Sequence, residues 1–341
     1  MKYRRLCMFL LLFACFFTLV LPAGAANSSN SKGYRLLIYY GIPAGVNEVW
    51  DDTKAAEVFA EYDVLVFGAG LEEEKHSYHD STAEIFRLIR EKNPDARLFG
   101  YVDLGVTTSN FSPAAMESKA KKWKALGANG IFLDDAGYDY GVSRARLNQT
   151  VNAVHRLGMS VFVNAWNPDD VMGSKVDRKY NPKGQASALD KRDIYLLEDF
   201  LQPTDITKKS SPSVFNSAFR GKMDKSLAYR KKLGVKLMSV SIIDYAKYSE
   251  NAVRKFFRMN EATAAVFSLD AYGIAPTHYS SERPNKHKVR SFPYILNYMS
   301  YYSTNVEYVS KYGNRDFSRG GFRIHSLPGE HYYNYPADAK S

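Results

Sequence analysis

The chain has 341 residues, 45% of them hydrophobic and 24% charged, a composition that excludes a wholly disordered or fibrous protein. Lys and Arg number 46 against 36 Asp and Glu, so the formal charge of +10 favours anionic surfaces over acid-binding ones. Aromatic residues make up 14%, chiefly 25 Tyr and 20 Phe, which suits the stacking of sugar rings better than a basic nucleic-acid patch. No nucleic-acid partner is expected.

The first elements concern targeting. Lys2, Arg4 and Arg5 precede an apolar run from Leu6 to Leu21, and Pro22-Ala23-Gly24-Ala25 supplies a breaker and a small-residue cleavage site. Residues 1–25 therefore read as a secretory signal peptide, followed by a short linker over 26–32. The apolar run is too short for a membrane span, so no stable insertion is expected once the leader is cut. Both cysteines, Cys7 and Cys15, lie within the leader, and the mature chain would fold without disulfides. The expected location is extracellular, with association to anionic cell-wall polymers favoured by the basic charge.

From Gly33 onward short apolar runs alternate with amphipathic stretches. Strands are predicted at Leu36–Tyr40, Asp63–Phe67, Arg97–Val102, Asn129–Leu133, Ser160–Val163, Asp193–Leu197, Lys236–Ile243 and Ala264–Leu269. Eight units of about 30 residues each match a (β/α)8 TIM barrel of the α/β class, a single domain over 33–302 with a C-terminal tail over 303–341. Helix signals fall between the strands. Ser81-Thr82-Ala83-Glu84 has the form of a capping box, and Ser112-Pro113 places an N-cap before proline. Leu126-Gly127, Leu157-Gly158 and Leu233-Gly234 end three helices on glycine. A basic loop from Ser281 to Arg290 and a last helix from Ser291 to Tyr302 complete the barrel.

In a TIM barrel the carboxyl ends of the strands carry the chemistry. The predicted ends deliver Tyr39, Asp103, Asp134-Asp135, Asn164-Ala165-Trp166, Glu198, Asp244 and Asp270-Ala271-Tyr272. Acids that repeatedly follow apolar runs at one end exceed what solvent contact alone requires. A rim of carboxylates and aromatic rings is what glycoside hydrolysis uses, one acid protonating the leaving oxygen and another attacking or activating water. Asp134 and Asp135 are consecutive, so in an extended strand only one faces the barrel axis. His76-Ser77-Tyr78-His79-Asp80 lacks an evident third ligand, and no metal or other cofactor is expected. His155, in the last turn of its helix, reads as structural.

The stretch Ala128-Asn129-Gly130-Ile131-Phe132-Leu133-Asp134-Asp135, with Ile38-Tyr39-Tyr40-Gly41 and Gly100-Tyr101-Val102-Asp103, resembles the secreted endo-α-1,4-polygalactosaminidase family (glycoside hydrolase family 114) and its spherulin-4-like relatives. The resemblance spans about Gly33 to Gly273. It implies an endo-acting hydrolase of an amino-sugar exopolysaccharide, with Asp134 and Glu198 as the catalytic pair. Tyr39, Asp103, Asp135, Asn164, Trp166, Asp244, Asp270 and Tyr272 would then hold the polysaccharide. A second reading is a non-catalytic barrel that binds polysaccharide of the cell wall or biofilm matrix.

Overall fold

A computed structural model describes residues 34–277, 288–291, 307–308 and 310–336. The leader, the linker, most of the basic loop and the helix expected over Ser291–Tyr302 lie outside the described residues. Eight parallel strands close into a barrel in sequential order: β1 (Tyr34–Tyr39), β2 (Val64–Phe67), β3 (Arg97–Asp103), β4 (Gly130–Asp134), β5 (Ser160–Asn164), β6 (Ile194–Leu197), β7 (Lys236–Ile243) and β8 (Ala271–Pro276). The ring is completed by β1 pairing with β8. Between them run α1 (Asp52–Ala60), α2 (His79–Lys92), α3 (Pro113–Ala125), α4 (Arg144–Arg156), α5 (Pro168–Met172), α6 (Phe219–Leu233) and α7 (Glu250–Phe267). The (β/α)8 expectation holds.

Alternation along the strands builds two apolar layers. Leu36, Ile38, Val64, Val66, Phe99, Phe132, Phe162, Leu196, Met238 and Val240 fill the barrel interior. The intervening residues, such as Leu37, Leu65, Leu98, Ile131 and Val161, pack outward under the helices. Both faces of each strand are therefore buried, which explains their nearly continuous hydrophobic runs.

The helix caps follow ordinary chemistry. The hydroxyls of Ser112, Ser143 and Ser249 accept from the backbone N–H three residues on, at 3.2, 3.2 and 3.3 Å. Gly127, Gly158 and Gly234 take φ of 100°, 74° and 77° just past their helices, as the Leu-Gly junctions predict. The expected capping box is displaced. Helix α2 already begins at His79, so Ser81 lies inside it and donates to Asp52 Oδ1 at 2.6 Å instead.

The eighth strand requires a larger correction. Ala264 to Phe267 is the end of α7, and the strand begins only at Ala271. The last turns of α7 are buried all round, against the barrel on one side and the C-terminal region on the other, so they lack the polar face that marks a helix. That region, read from sequence as a tail, carries an antiparallel sheet of β9 (Glu307–Tyr308), β10 (Asp316–Arg319), β11 (Phe322–Leu327) and β12 (Glu330–Asn334). It packs on α7 through Phe317, Phe322 and Ile324. The Arg319 guanidinium, fully buried, donates to the Ala265 carbonyl at 3.2 Å and to the Ser268 hydroxyl.

Candidate functional site

Residues that continue the inward-facing register at the carboxyl ends of β3 to β6 meet at one mouth of the barrel. Tyr101 follows Phe99, Asp134 follows Phe132, Asn164 follows Phe162, and Glu198 follows Leu196. Asn164 Nδ2 donates to Asp134 Oδ1 at 2.9 Å and to Glu198 Oε2 at 3.0 Å, so one amide joins the two acids. The Tyr101 hydroxyl, on the neighbouring strand, lies close enough to Asp134 for the two to influence each other's ionisation. Asp134 and Glu198, paired by sequence reasoning, are thus brought together, and Asn164 stands between them.

The chain turns sharply after each of these acids. Asp135 and Asp199 both take left-handed backbone conformations, with φ of 52° and 49°. Aspartate tolerates this region better than most residues with a Cβ. The turn ends the strand alternation that would have sent Asp135 away from the axis. Its carboxyl remains within electrostatic reach of Asp134, Asp103 and Glu198, with the Tyr140 hydroxyl nearby favouring its charged form.

These surroundings shift the acids towards neutrality. Burial raises Asp134 to about 6, aided by the charge of Glu198 and opposed by the Asn164 hydrogen bond and by the nearby Asp135 backbone and Tyr101 hydroxyl. Burial also raises Asp135 to about 7, with Asp134 and Asp103 adding like-charge repulsion. Asp199 moves in the same direction through burial and the proximity of Glu198. The Tyr101 hydroxyl is pushed well above its ordinary value by burial and the surrounding acids, which keeps its proton available as a donor.

Beside Glu198 opens a cavity of about 490 Å³, lined by Trp166, Leu197, Phe200, Phe219, Lys222 and Met223 among others. Lys222, in the first turn of α6, places Nζ 4.4 Å from the centre of the Trp166 ring and 3.4 Å from the Glu198 carbonyl oxygen. Burial lowers this amine to about 8, against the attraction of Glu198 and Asp199. Trp166 is 50% exposed. A second cavity of about 400 Å³ lies at the ends of β1 and β2, between Tyr40, Gly68 and His76.

Other residues expected at the rim have different places. Asp103 reaches the mouth, but its carboxylate accepts from Gly105 N at 2.7 Å, Thr108 Oγ1 at 2.7 Å and Ser109 N at 3.1 Å, and so organises the loop after β3. Asp244 likewise accepts from Ala246 N at 3.0 Å in the turn after β7. Tyr39 is corrected from rim to core. It faces outward beneath α1, edge-on to Phe59 at 5.3 Å, and Tyr40 is the residue that turns inward towards Tyr101, at 5.2 Å. Asp270 and Tyr272 are corrected to the opposite end of the barrel. Asp270 precedes β8 and accepts from Leu237 N at 2.9 Å near the start of β7, and Tyr272 pairs in register with Arg35 at the start of β1.

Tyr101, Tyr140 and Lys222 belong to the site and were not singled out from sequence. Tyr101 lies two residues before Asp103 on the inward face, so strand alternation could have found it. Lys222 sits in a helix rich in Lys and Arg, where nothing local separates it from its solvated neighbours. The described residues bring together one set of potential metal ligands, His155, Asp190 and Asp193. It lies at the far end of the barrel, where Asp193 also accepts from the backbone N–H groups of Val161 and Asp190 and both its oxygens bond His155 Nε2. Among the described residues no helix is long and apolar enough to cross a membrane.

No family model and no curated protein matches the sequence. Similar solved structures include a chain assigned as a dihydrodipicolinate synthetase from Pseudomonas aeruginosa, at 10% identity and TM-score 0.40, covering 71% of this chain and 70% of that one. An HpcH/HpaI aldolase from Desulfitobacterium hafniense DCB-2 is 9% identical with TM-score 0.40, covering 73% and 88%. CdNal from Clostridium difficile, in complex with mannosamine, is 11% identical with TM-score 0.36, covering 74% and 72%. The chain also spans 40% of a carboxyl transferase domain chain from Rhizobium etli pyruvate carboxylase. The expected membership of the polygalactosaminidase group is corrected accordingly. None of the solved structures named is described as a glycoside hydrolase, so the polysaccharide-hydrolase reading is not carried further, and no match supports the polysaccharide-binding alternative. At these identities the likeness concerns the barrel, and the neighbours' reactions are not transferred to this chain.

Proposed function

We propose that the mouth of the barrel is the active site of an enzyme that moves protons to and from carbon beside the carbonyl group of a small polar compound. The observation that carries the reading is the joint between cluster and cavity: Glu198 is bonded through Asn164 to Asp134 and also lines the pocket that holds Lys222 and Trp166. Carboxyls whose protons come off near neutral pH serve as base and acid in one cycle, because neither form is scarce. Asp134 and Asp135, at about 6 and 7, meet that condition.

Proton removal beside a carbonyl drives negative charge onto the carbonyl oxygen, so donors must face it. The Tyr101 hydroxyl, kept protonated beside Asp134, and the Lys222 amine beside Glu198 are the donors available for that role. A cavity of about 490 Å³ falls in the range of small-molecule sites, and its apolar walls strengthen every charge interaction inside it. Trp166 offers a flat face against which a planar carbonyl compound can rest.

The test is exchange of carbon-bound hydrogen with solvent. The protein is incubated in D2O with pyruvate, other 2-oxo acids, hydroxyaldehydes and hydroxyketones, and loss of the C–H signal beside the carbonyl is followed by NMR. Exchange well above the uncatalysed rate is expected for at least one compound, with a loss of about 100-fold or more in Asp134→Asn and Glu198→Gln. Exchange that is unchanged in both variants, or absent across the panel, would remove the reading.

A further inference from the structure

We propose that Lys222 is a catalytic amine that bonds covalently to the carbonyl carbon of the substrate. The inference rests on the proton-transfer reading of the same site and names the electron sink that such a reaction uses.

The placement of Nζ is the starting point. It lies in the wall of a cavity lined by Leu197, Phe200, Phe219 and Met223 and by the polar Asn216 and Lys225, on the side of the mouth where Glu198 and Asp199 follow β6. Its close partners are a main-chain carbonyl at 3.4 Å and the face of Trp166 at 4.4 Å, and no carboxylate forms an ion pair with it among the described residues. A lysine built as a charge anchor is normally seated on a carboxylate, as Lys119 is on Glu72 at 2.6 Å elsewhere in this protein. Lys222 is instead largely withdrawn from water without a carboxylate seat, and burial favours the neutral, nucleophilic form of an amine. Lowered to about 8, the group is unprotonated in roughly one molecule in ten at pH 7, against fewer than one in a thousand for an ordinary lysine.

The chemistry balances with groups on the page. A bond forms from Nζ to the carbonyl carbon as the carbonyl π bond breaks towards oxygen. The two protons that leave nitrogen end on that oxygen, relayed by the Glu198 and Asp199 carboxyls, and the oxygen departs as water. A C=N bond remains, and no oxidant or reductant is consumed. Electrons released when the adjacent carbon gives up its proton to the acid cluster can then flow into the C=N bond. The substrate class follows: an aldehyde or ketone small enough for the cavity and bearing hydrogen on the neighbouring carbon.

Borohydride trapping tests the inference on the whole protein. Hydride reduces C=N to a stable secondary amine, so treatment with pyruvate, or separately with glyceraldehyde, should leave one added substrate residue on the peptide containing Lys222. Labelling at that peptide should exceed the level in Lys222→Arg by at least tenfold, and the Lys231→Met variant, which alters an exposed lysine of the same helix outside the cavity, should label like the wild type. Labelling spread evenly over surface lysines, or equal in Lys222→Arg, would overturn the covalent role. The D2O experiment separates the two ideas. Full-rate exchange in Lys222→Arg with no trapped adduct overturns the amine and leaves proton transfer standing. A Lys222 adduct with no exchange in any compound sustains the amine and overturns the proton-transfer reading.

Discussion

Asp134 and Glu198, from strands β4 and β6, accept hydrogen bonds from the same amide nitrogen, that of Asn164 on the strand between them. Two acids placed so near one another repel when both are ionised, and the shared donor offsets part of that repulsion. Removing it should therefore be felt more strongly when the acids are charged. Asn164→Ala is expected to cost about 1–3 kcal/mol of stability at pH 8 and clearly less at pH 4. Urea unfolding at the two pH values measures both numbers, and an equal loss would show that Asn164 matters only for packing.

Asp135 should weigh against folding at neutral pH. Its folded-state value of about 7 lies above that of an unfolded aspartate, so the folded protein holds a proton that the unfolded chain has already released. The stability penalty is absent below about pH 4, grows as pH rises, and is complete above about pH 7. Asparagine tolerates the left-handed conformation at this position as well as aspartate does. Asp135→Asn should stabilise the protein at pH 8 by roughly 1 kcal/mol, a figure reduced for the partial solvent screening of this group, and leave stability at pH 4 unchanged. Thermal melts at both pH values check the sign; a loss of stability at pH 8 would contradict it.

Gly100 marks a close approach rather than a turn. The Trp123 indole lies against its Cα on the outer face of β3, and a Cβ there would run into the ring. Trp123 is fully buried and its Nε1 donates to the Tyr101 carbonyl at 3.1 Å, so it cannot swing aside without losing that bond. Gly100→Ala should cost roughly 3 kcal/mol, the upper part of the range for overpacking, and should change the fluorescence of Trp123. A variant as stable as the parent would mean that α3 shifts freely over the barrel.

The C-terminal sheet is held by a buried carboxylate. Asp316 accepts from Arg323 Nε at 3.0 Å, from Arg323 Nη2 at 2.7 Å and from His325 Nδ1 at 3.0 Å. Asp316→Asn removes the buried charge that Arg323 and His325 face and should destabilise by roughly 2–3 kcal/mol, below the cost for a fully buried pair because Arg323 is partly exposed. Limited proteolysis should then cut between Asp316 and Asn334 before it cuts the barrel. Simultaneous loss of both regions would show that sheet and barrel unfold as one unit.

Much of the barrel was legible from apolar runs spaced about 30 residues apart, because a parallel strand buried on both faces leaves a continuous hydrophobic signature. The same signature misplaced β8. The end of α7 is buried on every side, and Ala264 to Leu269 is as apolar as any strand. That one displacement moved Asp270 and Tyr272 to the wrong end of the barrel. Tyr39 failed for a smaller reason: Leu36 and Ile38 face inward, so the inward tyrosine is Tyr40, and a slip of one residue reverses the face. Asp134, Asn164 and Glu198 were legible because each closes a strand after an apolar run. Lys222 was not, since its role depends on which cavity α6 overhangs, and that is set by tertiary packing rather than by local sequence.

The central claim is that the acids at the mouth exchange protons near neutral pH, and carboxyl-detected NMR titration of the wild-type protein tests it most directly. Two carboxyl resonances should titrate with midpoints near 6 and 7, one disappearing in Asp134→Asn and the other in Asp135→Asn. Because the charge of Asp134 raises Asp135, Asp134→Asn should also lower the midpoint that remains. Titration of both acids near pH 4, independent of one another, would contradict the account.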